Sequence, residues 1–115
     1  MENINLHENG EQESYIPLAK EIIRNSFLYT LIARDETKAL YAQSYKNFAS
    51  YVIAHEVFYV KKEYRKLNPR TTEKVLMEVF PGNSDFGRWA WSITRDRDKA
   101  LERFNGMTKP KEDGK

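Results

Sequence analysis

No cysteine occurs in the chain, which excludes disulfides, thiolate zinc sites and cysteine nucleophiles and makes the sequence compatible with a reducing cytosol. No apolar run approaches the ~18 residues of a membrane-crossing helix, and the N-terminus lacks the basic and then apolar segments of a secretory signal. A cytoplasmic protein with no membrane partner is therefore expected. Histidine is scarce, only His7 and His55, and catalysis needs a positioned constellation rather than a lone imidazole. The loop Pro81-Gly82-Asn83-Ser84-Asp85-Phe86-Gly87 lacks the Lys-Ser/Thr ending of a phosphate loop and leads into a strand; turn chemistry accounts for both of its glycines. No set of acids has calcium-loop or zinc spacing. The expectation is a non-enzymatic protein with no metal and no cofactor.

Glycine and proline are missing between Pro17 and Pro69, which leaves either two long helices or a set of strands joined by polar turns. The stretch is dense in Tyr, Phe, Val, Ile and Thr, residues that fit a pleated, half-buried surface, and no 3.6-residue stripe is sustained through it. Strands are favoured. Phe27 to Ala33 reads as one, Arg34-Asp35-Glu36-Thr37 as a polar turn and Lys38 to Tyr45 as the antiparallel partner. Lys46-Asn47 leads to a long strand from Ser50 to Arg65, the Asn68-Pro69 loop follows, and Glu73 to Phe80 returns. Residues 15–25 are open between a short N-terminal helix and a strand.

What the chain has in quantity is aromatic surface, with six Phe, seven Tyr and two Trp. Arg88 to Ile93 alternates, so Trp89, Trp91 and Ile93 are expected on one face of a strand. Thr94 supplies the N-cap of a helix, with Asp96 and Asp98 in its first turn and Gly106 as the residue that closes it. Ala100, Leu101 and Phe104 form its apolar stripe, and the Trp face is the nearest surface for it to cover. That spacing favours burial of the two tryptophans over a ligand platform. The predicted fold is α+β, about five antiparallel strands in a meander with a C-terminal helix on one face.

A chain of 115 residues has room for one domain. Residues 1–13 hold four glutamates and no Lys or Arg, which leaves the rest of the chain at +6. An acidic flexible arm at 1–13, a single domain at 14–106 and a flexible tail at 107–115 are expected.

The segments "HEVFYVKK" and "EVFPGNSDFGRWAWSITRDRDKALERF", with a basic hairpin between them, resemble a pattern found in small proteins of bacterial phages and mobile elements. The match runs through Glu56-Val57-Phe58, Pro81, Asn83, Phe86-Gly87, Ala90-Trp91 and Ala100 to Phe104, within roughly residues 27 to 106. His55 departs from it, standing where Tyr is commoner. The resemblance implies a mobile-element setting and a role in countering host functions, such as an anti-CRISPR inhibitor of a host defence nuclease. It brings no catalytic residues.

The basic hairpin is the main candidate site. Lys61, Lys62, Arg65, Lys66, Arg70 and Lys74 stand against Glu63 and Glu73, a local balance of +4 with Tyr64 among them. Such a ribbon can track phosphates and stack Tyr64 on a base, and it can equally meet an acidic protein surface. A plainer reading is that the tip is solvated surface and that its lysines protect a strand edge. The partners expected are a host protein or protein–nucleic-acid complex, or DNA or RNA directly. Alternation sends His55 and Glu56 to opposite faces, and a structural histidine is favoured. Because both faces of the first strand are partly apolar, either a second layer such as "IPLAKEII" covers the sheet or a homodimer does.

Overall fold

The computed structural model describes residues 14–108. The arm expected at 1–13 lies outside the described residues, as does the tail from 109 onward. Seven strands and one α-helix follow in order: β1 (Glu21–Arg24), β2 (Phe27–Arg34), β3 (Lys38–Tyr45), β4 (Phe48–Tyr59), β5 (Lys61–Arg65), β6 (Val75–Val79), β7 (Ala90–Ile93) and α1 (Arg97–Gly106). They form a five-stranded antiparallel sheet in the order β1-β2-β3-β4-β7 and a two-stranded sheet of β5 and β6. The α+β meander with a C-terminal helix is the fold, and the open choice at 15–25 resolves to a strand. Among the described residues α1 is the only α-helix.

The described residues divide into two compact units, one of residues 14–18 and 62–79, the other of 19–61 and 80–108. The range 14–106 expected as one domain spans parts of both.

In the larger unit apolar side chains pack on both faces of the sheet. On one face Leu40 and Val57 are fully buried and, with Ala100, Phe104 and Met107, form a core against which Ile32, Ala33, Tyr59, Trp91, Ile93 and Leu101 pack. Burying a side chain such as Leu40 or Val57 completely contributes about 1.5–3 kcal/mol. Met107, expected in the tail, belongs to this core. On the opposite face Tyr41 and Phe58 stack with centroids 5.8 Å apart. Phe80 closes over them edge-on, 5.2 Å from Tyr41 and 5.3 Å from Phe58, and lies 4.9 Å from Tyr29. The second layer is thus centred on Phe80, while the "IPLAKEII" segment supplies the edge strand β1 and the Ala19 carbonyl that accepts from the Tyr41 hydroxyl at 2.6 Å.

Four local expectations are corrected. The long strand from Ser50 to Arg65 breaks after Tyr59, which is paired with Lys38, the first residue of β3. One further bond, Val60 N–H to Thr37 O at 2.8 Å, closes the pairing before β5 begins. The two tryptophans do not share a face: Asp85 accepts from the Arg88 and Trp89 amides and Gly87 N–H donates to Ala90 O, a turn that delays the strand to Ala90. Trp91 then joins the helix-side core, while Trp89 sits edge-on to Phe58 at 6.2 Å. The helix N-cap is Asp96, accepting from Lys99 N–H at 3.1 Å, and Thr94 instead accepts from Asp96 N–H at 2.9 Å. At the other end Gly106 is the last helical residue and Met107 is the extended cap.

Lys38 explains how that helix end is held. Its ammonium is buried and donates to Phe104 O at 2.8 Å and Met107 O at 2.9 Å, placing a cation on the last carbonyls of the helix, of which Phe104 O also accepts the Met107 N–H. It also lies 4.7 Å from the Phe104 ring centroid.

Candidate partner-binding surface

The smaller unit carries nearly all of the basic hairpin. Its two strands are joined by residues 66–74, and the Asn68-Pro69 signal is a closed turn: the Asn68 side chain accepts from Arg70 N–H at 2.9 Å and its carbonyl from Thr71 N–H at 3.2 Å. A short side-chain oxygen at this position mimics a backbone turn, which is why Asn is favoured there. Ile16 bridges β6 in parallel at Met77, with Ile16 N–H donating to Leu76 O and Glu78 N–H to Ile16 O. The buried Glu78 accepts from Leu18 N–H at 2.9 Å. These bonds anchor the ribbon at its base and leave the tip to solvent.

All seven proposed hairpin residues are exposed. They are not equivalent. Arg65 forms a 2.6 Å ion pair with Glu63 that uses two of its guanidinium nitrogens. The Lys62 ammonium sits 3.8 Å from the Tyr15 ring centroid. Lys61 belongs to the larger unit, 4.6 Å from the Trp89 ring centroid. Lys66, Arg70 and Lys74 flank the turn, and Tyr64 is 55% exposed on β5. The cations most open to a partner are therefore those of the turn rather than those of β5.

His55 and Glu56 occupy opposite faces and have different roles. His55 is buried, and its Nδ1 lies 2.9 Å from Thr94 O, so this nitrogen carries the proton and donates. Its backbone N–H donates to the same carbonyl. This is a structural histidine, tying β4 to the end of β7. Glu56 is buried with Oε1 lacking a hydrogen-bond partner. Burial pushes its carboxyl up to about 7, against the lowering influence of the Arg24 guanidinium. Nearby, burial first and the Glu56 charge second raise the Tyr29 phenol above its ordinary value. The sequence alone places Glu56 on its face and assigns it no role; the signal for one is a lone acid within the largely apolar stretch Val52 to Val60.

In the Pro81 to Gly87 loop the Asp85 carboxylate accepts from Gly82 N–H at 2.8 Å, and that bond is the main reason its carboxyl is held below the ordinary range. Only Gly87, at φ 90°, needs glycine there; Gly82, at φ −88°, does not.

Comparison with known proteins finds no family model that matches the chain, no matching curated protein and no matching solved structure. Among the described residues no helix is long and apolar enough to cross a membrane.

Proposed function

We propose that the protein is a non-enzymatic binding protein that engages a host macromolecule through its basic hairpin. The observation that carries this reading is the ordered Asn68 turn, flanked by the exposed cations Lys66, Arg70 and Lys74. An ordered turn presents its charges at a lower entropic cost than a flexible tail does. In the mobile-element setting implied by the sequence resemblance, the partner is a host defence nuclease in the bacterial cytoplasm. The hairpin would meet the nucleic acid that such an enzyme carries or an acidic patch on its surface. The test is affinity capture from host lysate with the wild-type chain and with the triple variant Lys66→Glu, Arg70→Glu, Lys74→Glu. Capture of a nuclease complex by the wild type and its loss in the variant are expected. Equal capture by both would overturn the proposal.

A second reading, direct binding of DNA or RNA, is favoured by the exposed Tyr64 ring on the same ribbon. Three phosphate contacts from Lys66, Arg70 and Lys74 would give a log–log salt slope of about −2 on a single strand. Capture that vanishes on nuclease digestion supports this reading over a protein partner.

A further inference from the structure

The aromatic surplus of the larger unit is concentrated at one end of its sheet. The β1–β2 turn, with Asn25 at φ 58°, and the β3–β4 turn at Lys46-Asn47 lie side by side, and Lys46 N–H donates to Ser26 O at 2.8 Å. Register sets Phe27 opposite Tyr45, and Tyr45 opposite Phe48. Their rings continue one another: Phe27 to Tyr45 at 5.8 Å, Tyr45 to Tyr51 at 6.4 Å with 14° between planes, and Tyr51 to Phe48 at 6.0 Å with 8°. Neither α1 nor Phe80 reaches this far among the contacts each makes. Tyr45, Phe48 and Tyr51 remain 47%, 58% and 43% exposed.

Three large rings left together in water mark an interaction site more often than an accident of packing. Two features identify the occupant. Closely parallel rings, slid past each other at centroid distances well beyond the ~3.5–4.0 Å of direct carbon contact, leave flat π-faces of common orientation, the shape that successive bases stack on. The charged groups set against the rings and on the adjoining turn are cations. The Arg95 guanidinium lies 4.8 Å from the Tyr51 ring centroid and Lys46 is exposed on the adjoining turn. No Asp or Glu occurs from Ile22 to Arg34 or from Lys38 to His55. Asp96, beside Arg95, uses its carboxylate as the helix N-cap. Stacked planes flanked by cations suit a planar polyanion.

We propose that Tyr45, Phe48 and Tyr51, with Lys46 and Arg95, form a stacking platform for single-stranded nucleic acid. This surface lies in a different unit from the hairpin turn and does not rest on the hairpin reading. The test uses the full chain and fluorescently labelled 12-nucleotide oligothymidylate and oligouridylate, read by anisotropy. Binding weakened about tenfold or more by Phe48→Ala and by Tyr51→Ala, as expected for loss of one stacked base, and retained in Tyr51→Phe, would support the platform. Arg95→Gln should make the salt dependence shallower. The hairpin triple variant should keep the ring-dependent part of the affinity, which separates failure of one proposal from failure of the other. Exposed rings can be removed without emptying the core, and cooperative thermal unfolding checks each variant; should one fail to fold, Tyr45→Ala takes its place. The proposal is overturned if the wild type binds neither oligonucleotide, or if binding is unchanged in the folded ring variants. A dimer in sedimentation that Phe48→Ala converts to monomer would assign the surface to a second copy of the chain and also overturn it.

Discussion

Glu56 should make the protein less stable as the solution becomes more alkaline across neutrality. Its carboxyl ionises near 7 in the folded chain and at the ordinary 4.5 when unfolded. A group whose folded value is raised contributes its full share of stability below the unfolded value and loses it as pH rises through the folded one. At about 1.4 kcal/mol per tenfold change in the protonation equilibrium, the ionised form costs the folded state about 3 kcal/mol above neutrality and little in acid. The geometry agrees, since Oε1 is enclosed without a partner while ionisation would place a charge there. Glu56→Gln keeps the shape and removes the charge. Urea unfolding followed by tryptophan fluorescence should show the variant gaining on the wild type by about 2–3 kcal/mol between about pH 5 and about pH 8. Any constant penalty for placing an amide in the site cancels in that difference. A gap between the two proteins that does not change with pH would refute the reasoning.

Lys38→Met should cost about 2 kcal/mol, because two charge-assisted hydrogen bonds to helix-end carbonyls are lost. Faster amide exchange confined to α1 would locate the effect. Substituting the glycines separates backbone strain from space. Gly87→Ala should destabilise by about 1–2 kcal/mol through its positive φ alone, since nothing lies within 4 Å of the added methyl. Gly106→Ala, at a helical position with the same open space, should stabilise by about 0.4–1 kcal/mol. A midpoint that rises for Gly87→Ala would contradict the first assignment, and one that falls for Gly106→Ala the second.

The strands of the meander were legible because their signal is local. Period-two alternation and polar punctuation at Arg34 to Thr37 and Lys46-Asn47 place β2 and β3 within a residue of where they lie. What could not be read depends on residues distant in sequence. The break after Tyr59 coincides with the start of the neighbouring strand β3, and neither Gly nor Pro marks it in the sequence. The Trp89-Ala90-Trp91 alternation is real, but a turn anchored at Asp85 holds Trp89 outside the strand, and one residue of delay puts the two rings in different layers. Lys38 reads as a turn-flanking charge and becomes the anchor of a helix that begins 59 residues later.

The two candidate surfaces differed in legibility for the same reason. Six cations within 14 residues announce themselves in any conformation; the structure adds that Arg65 and Lys62 already have partners and shifts the weight to Lys66, Arg70 and Lys74. The ring platform required pairing to exist at all, because Phe27, Tyr45 and Phe48 become neighbours only through the register of three strands. An excess of aromatic surface was nevertheless countable beforehand. A sheet covered by one ten-residue helix on one face and a single phenylalanine at the centre of the other cannot hide all nine aromatic side chains that its five strands carry. The physical question was where the excess would gather. It gathers at the sheet end furthest in register from the Lys38–Tyr59 pair, beyond the residues that pack against α1. Hydrophobic surface that folding leaves exposed beside charge of one sign is surface on which a partner of the opposite sign can complete the burial.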